Sequence, residues 1–202
     1  MDISLRDAVG TALWRFHDTA MEHATLIYTF TRSTYEDAPG LFDIYQRQLV
    51  RLIDLIHEFA FNARRAIERA EAHDPGIVKA ATAYSVHYGM TDLTLSKFEE
   101  PSSLSLTQES LWWVLGRIIH SKQTHLLQKT VDVIITNPIS GRHHSIFQPV
   151  AFQFASDRDT GSVTHCVHLQ SLVEAYVRGF AHRIEGAVIK RNRPDVKTTD
   201  TI

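Results

Sequence analysis

Trp113, Arg117 and His120 are the residues whose types and spacing could do chemistry together. Steps of four and three residues put them on one face of a helix, opposite much of the stripe formed by Leu111, Leu115 and Ile118. Arginine holds a phosphate with its planar fork, histidine moves protons near neutral pH, and tryptophan stacks on a base. The same spacing has a plainer meaning. Trp113 can cover the Arg117 stem in a cation–π contact while His120 meets the carboxyl end of the helix. Such triplets are common on amphipathic helices, and the plainer meaning is preferred.

Other candidates are weaker. Arg51 and His57 have five residues between them, and Arg158 and His165 have six, but the latter pair straddles a turn. His165 and His168 fall on opposite faces of a strand, because their separation is odd. His143 and His144 stand near a turn, yet no carboxylate lies at ligand spacing from them. The adjacent pairs Glu22–His23 and His57–Glu58 diverge by roughly 100° on a helix. No metal centre is expected, and no cofactor, since the chain has neither a glycine-rich phosphate loop nor a nucleophile elbow. Cys166 is the only cysteine, which excludes an intrachain disulfide and a cysteine zinc site.

Composition narrows the classes further. Among 202 residues, 21 Lys and Arg face 23 Asp and Glu, so the net charge is −2. Such a balance creates no global field toward nucleic acid or an anionic membrane. The 12 histidines would carry the charge to +10 if all were protonated, so association should respond to pH. The first residues do not read as a secretory leader, and no apolar run approaches the ~20 residues of a membrane span. A cytoplasmic protein with no membrane partner is expected.

The elements that must position these residues are mostly helical. Val9, Leu13, Phe16, Ala20, Ala24 and Ile27 trace a first helix, begun by Ser4 and reaching about Phe30. From Leu41 to His73 a longer stripe runs through Leu49, Leu52, Ile56, Phe59, Ala63 and Ile67, and Asp74-Pro75-Gly76 stops it. At about 33 residues this helix would be roughly 50 Å long, so a kink or split is expected. The stretch 77–105 reads as a short helix and irregular chain. Ser105 and Gln108 suggest a capping box for a third helix, which runs through Leu111 and Ile119 and ends between Ser121 and Leu127. Alternation at 131–136, 150–155 and 163–169 predicts three strands, and a last apolar stripe runs from Leu172 to Val188.

The expected fold is therefore mainly α, within the α+β class. It is an antiparallel bundle of about four principal helices with a small three-stranded antiparallel sheet before the C-terminal helix. A single domain covers 1–191, with the sheet inserted at about 131–169, and 192–202 forms a polar tail.

The run SLWWVLGRIIHSK follows a long helix ending EFAFNARRAIERAE and precedes a small hairpin and a C-terminal helix. This layout resembles that of HEPN-like bacterial proteins, the higher-eukaryote and prokaryote nucleotide-binding helical domains. The resemblance covers most of the chain in the order of its elements; in sequence it rests mainly on RIIHSK. It implies a dimer and, for many members, a metal-independent RNase in which an arginine, four to six residues and a histidine form a composite site. This chain departs from that pattern. Arg117 and His120 are too close, and Leu52 follows Arg51 where the motif has a polar residue. The departures favour a non-catalytic member: an interaction or accessory module, homodimeric, with Trp113 near the interface. The alternative is an RNase or nucleotide-binding protein using Arg117 and His120, or Arg51 and His57, with RNA or a nucleotide as partner. On that alternative, His120→Ala abolishes cleavage of single-stranded RNA and leaves the thermal midpoint in place.

Overall fold

The computed structural model describes residues 5–36, 41–91, 107–137, 142–157 and 163–192. Ser4, Ser105, Arg158 and the tail beyond Asn192 lie outside the described residues.

Two long helices come first, α1 (Leu5–Arg32) and α2 (Phe42–Ala70), joined through the two-residue strand β1 (Tyr35–Glu36). The expected split in the long helix does not occur: α2 is one continuous α-helix of 29 residues. Its stripe of Leu52, Leu55, Ile56, Phe59, Ala60, Ala63, Ala66 and Ile67 is buried, and Leu13, Ala20, Ala24 and Ile27 of α1 cover it. The helix ends at Ala70, three residues before the expected His73. The amides of His73 and Asp74 fold back on the Ala70 carbonyl, and Gly76 takes φ 92°, which suits glycine alone at low cost. Glu71 then reaches over the gap and accepts the amides of Gly76 and Val78, capping the short helix α3 (Ile77–Ala83). Those two hydrogen bonds hold the Glu71 carboxyl below its ordinary pKa.

The sheet overturns the expected architecture. Instead of three strands confined to 131–169, five strands form one antiparallel sheet. They are β2 (Ser85–Thr91), β3 (Thr107–Ser110), β4 (Ser121–Asn137), β5 (Arg142–Ser156) and β6 (Thr164–His168). Their order is β4-β5-β6-β2-β3, and β1 adds to β5 at Phe147 and Ile146, beyond the end of β6. The protein is thus mixed α+β, not a helical bundle with a sheet insertion.

The physical reasons for the misreading are local. Helix α4 (Leu111–Ile119) gives way to β4 after the single turn residue His120, so no loop separates the two periods. Its cap is Ser110, whose Oγ accepts the Trp113 amide, and Gln108 of the expected capping box is paired in β3. In β4 the register against β5 shifts four times, near Lys122, Leu127, Val131 and Thr136. Three of these place an extra residue in β4 and turn the side chains that follow to the other face, which erases the alternation. At Leu127/Gln128 the extra residue, Val150, is in β5.

The helices lie on one face of the sheet, where Phe152, Phe154, Val167 and Tyr88 join the main core. The other face carries a smaller cluster of Leu127, Ala151 and Cys166. The C-terminal run has three parts: α5 (Leu169–Tyr176), a π-helical turn (Val177–Ala181) and α6 (His182–Asn192). Tyr176 is its anchor, packed edge-on against Phe59 at 5.5 Å and hydrogen-bonded to His17 Nδ1 at 3.0 Å.

His17 makes a pH prediction. Burial lowers its pKa below the ordinary 6.5, against the opposing pull of Glu185, whose carboxylate is 3.6 Å from Nε2. With the folded pKa lowered, the unfolded chain takes up the proton first as pH falls. Stability is therefore full above pH 6.5 and declines as pH falls toward the folded value. Thermal midpoints measured between pH 8 and pH 5 should fall on the acid side, and His17→Gln, which keeps an amide for Tyr176 but cannot titrate, should flatten that fall. Identical slopes for the two proteins would remove His17 as the responsible group.

Candidate functional site

The structure brings Trp113 into the sheet rather than into solvent. Its ring meets Tyr88 at 5.3 Å and His165 at 5.5 Å, both edge-on, while Phe154 lies 5.2 Å from His165. The Tyr88 hydroxyl hydrogen-bonds His165 Nδ1 within this buried cluster. The Arg117 guanidinium covers the Trp113 ring at 4.7 Å, the cation–π contact that the spacing predicted. His120, one residue past the helix, faces the Asp157 carboxylate at 3.8 Å, and the Asp157 amide returns to the His120 carbonyl. The described contacts of Arg117 and His120 therefore lead in different directions.

The adjacent Trp112 and Trp113 point in different directions on α4 and so need two covered surfaces. Both surfaces come from this chain. Trp112 lies under the Arg64 guanidinium at 4.3 Å, and Trp113 lies against the sheet. Gly116 makes the first contact feasible, because a side-chain carbon there would overlap the Arg64 guanidinium. Arg64 and Arg65 both pair with Glu68, at 3.2 and 2.8 Å, beside a hollow of about 200 Å³ that His120 and Phe61 also border.

Arg51 and His57 do not assemble either. Six residues along a helix turn the second side chain roughly 240° from the first. Arg51 is exposed and reaches Glu58 at 4.0 Å. His57 is wedged between α2 and β4: Nδ1 lies 2.9 Å from the Ile53 carbonyl and Nε2 2.7 Å from Ser121 Oγ. A carbonyl can only accept, so Nδ1 carries the proton and Nε2 accepts from the serine. Its ring stands edge-on to Phe152 at 5.5 Å. His57 is a tie between helix and sheet, with both ring nitrogens committed.

Metal chemistry finds no support in the described residues, among which no group of three or more His, Cys, Asp or Glu side chains converges. The Cys166 thiol is buried and its pKa is pushed up to about 12, so it is not a thiolate nucleophile at neutral pH.

The feature that spacing did not reveal is a groove of about 520 Å³ between the first half of α2 and the β4–β5 pair. Tyr45, Leu49, Ile53, Leu126 and Phe147 supply most of its walls. The Tyr45 hydroxyl donates to Gln128 Oε1 across its floor. Mostly apolar walls with a few fixed polar groups, at this size, are what a binding site requires. The α2 side of the groove is legible in the sequence as Leu49 and Ile53 of the helical stripe. The β4 side is not, because Leu126 reads there as the end of a helix.

Two substitutions separate the roles of the histidines. His57→Ala removes a half-buried tie and should cost about 1–3 kcal/mol in urea unfolding. His120→Ala removes the half-exposed pair with Asp157 and should cost less, about 1 kcal/mol or below. The reverse order would show that His120, not His57, holds helix to sheet. No protein family, curated protein or solved structure matches the chain.

Proposed function

We propose that the protein acts by binding rather than catalysis, as an interaction module that pairs with a second copy of itself through the first half of α2. The observation that carries this reading is a set of exposed apolar side chains at the start of α2, of which Val50 also borders the apolar groove. Ile44 and Val50 are 54% and 59% exposed, and Leu41 at the helix start is 47% exposed; Val50 is also a wall of the groove. Ile44 and Val50, three residues either side of Arg47, can meet the same pair of a second copy about a twofold axis.

Charge supports the same arrangement. An antiparallel pairing of two α2 helices with Arg47 on the axis sets Ile44 against Val50. In that one register the exposed Asp43 meets the exposed Arg51 of the other copy. The two Arg47 side chains on the axis oppose it, which limits affinity. Completing the burial of Ile44 and Val50 contributes about 1 kcal/mol each, hence about 4 kcal/mol over both copies. That only offsets the lower end of association costs, so the pairing is weak, with a dissociation constant on the order of 10 μM expected once the Asp43–Arg51 pairs are added.

The competing RNase reading needs arginine and histidine side chains converging on one phosphate, and the described contacts of Arg117 and His120 do not favour it. Among the described residues no helix is long and apolar enough to cross a membrane.

Light scattering at about 100 μM, well above that constant, should give a dimer that Val50→Asp converts to a monomer. Asp43→Arg and Arg51→Asp should each weaken it several-fold, and the double reversal should restore it. A wild-type monomer throughout, or a dimer indifferent to all three changes, would end this reading.

A further inference from the structure

A second hollow, of about 380 Å³, lies where β2 meets the start of α5, walled by Tyr84, His87, His168, Ser171, Glu174 and Arg178. It shares no lining residue with the α2 groove, so a ligand held there binds whether or not the chain self-associates. At ~30 Å³ per water it has room for about a dozen, more than one bare oxyanion fills.

The chemistry of its walls is that of donors. His168 Nδ1 accepts the Ser171 amide at 3.3 Å, closing the first turn of α5. A ring nitrogen that accepts carries no proton, so neutral His168 bears its hydrogen on Nε2 and offers it outward. Ser171 Oγ accepts the His87 amide at 3.0 Å, and its own hydrogen remains to be given. The His87 ring stands edge-on to His168 at 6.5 Å, because β2 and β6 pair antiparallel with Tyr88 opposite Val167. Arg178 is 73% exposed above Glu174 at 3.5 Å, and Glu174 also accepts from Gln170 at 2.7 Å, so the one carboxylate is already compensated. Burial, then the nearby His87 and Lys129, lowers the His168 pKa against the pull of Glu174, as expected where positive groups crowd together.

Two other occupants fit less well. A metal would need lone pairs, and His168 has one nitrogen engaged by an amide and the other protonated. The helix start adds little by itself, since His168 has already taken its Ser171 amide.

An independent observation points to the same place. The helix widens into its π turn at Val177–Ala181, directly beside the hollow. Within that turn Gly179 lets the Tyr84 ring lie against the helix, where a Cβ would come 2.9 Å from Cε2. Arg178 reaches the hollow's wall while Phe180 stays buried. Such turns cost hydrogen-bond quality and concentrate at functional sites.

We propose that this hollow binds a small phosphate monoester. Its oxyanion is held by His87, the His168 Nε2–H, the Ser171 hydroxyl and Arg178, and its organic part lies against Tyr84. Calorimetric titration at neutral pH and low salt should give phenyl phosphate a dissociation constant on the order of 1 mM or below, with inorganic phosphate weaker and benzoate at least about tenfold weaker. His87→Gln and Arg178→Gln change exposed side chains and should each weaken phenyl phosphate by several-fold. His168→Asp keeps a capping oxygen but has no hydrogen to donate, and should weaken it at least about tenfold with the thermal midpoint held. Equal binding of benzoate would replace the phosphate assignment by a carboxylate one. Absence of phenyl phosphate binding, or binding unchanged in the His87 and His168 variants, would overturn the site.

Discussion

Burial of one continuous stripe on α2 is the interaction on which the rest of the structure depends. From Leu52 to Ala70 the helix presents small and branched apolar side chains at almost no exposure, and α1, α4 and the C-terminal run all find their places against it. A helix of this length has too little intrinsic stability to stand alone and takes it from such packing. The alanines at 60, 63, 66 and 70 matter as much as the larger residues, because they let neighbouring backbones approach. His57 and Arg64 then carry the order outward: one ties α2 to the start of β4, and the other lies across α4 over Trp112.

The same arrangement draws several of the Arg and His side chains into the fold. A side chain serves chemistry when part of its bonding capacity faces a substrate. His57 spends both nitrogens on the fold, and Arg117 spreads over an indole. The remaining surface with unspent capacity is apolar along the first half of α2 and donor-rich at the start of α5. Both suit recognition.

How much of this was legible in the sequence depended on how each element announces itself. The helical stripes of α1, α2 and α5 were readable, as was the stop at Asp74-Pro75-Gly76, because period and punctuation agreed. Strands β2 and β3 were not. Ser85–Thr91 buries Val86, Tyr88 and Gly89 but mixes them with histidine and tyrosine in a seven-residue run, too short and too polar for a clear period. The first half of β4 reads Ser-Lys-Gln-Thr-His-Leu-Leu-Gln-Lys-Thr, and Leu126 and Leu127 are both buried because the main core covers one face there and the Ala151–Cys166 cluster the other. The partnership of His87 with His168 was invisible for the same reason: a cross-strand neighbour can be named only once both strands are known.

The broken register of β4 has a further consequence. This strand is 17 residues long, and no described strand pairs with its outer side. A straight strand of that length would be a template on which copies add end over end into fibres. The bulges twist its backbone groups out of line, and the exposed Lys122 and Lys129 put like charge where a second strand would lie. Main-chain polymerisation is thereby discouraged without covering the edge, and the choice of partner passes to side chains, where sequence can discriminate.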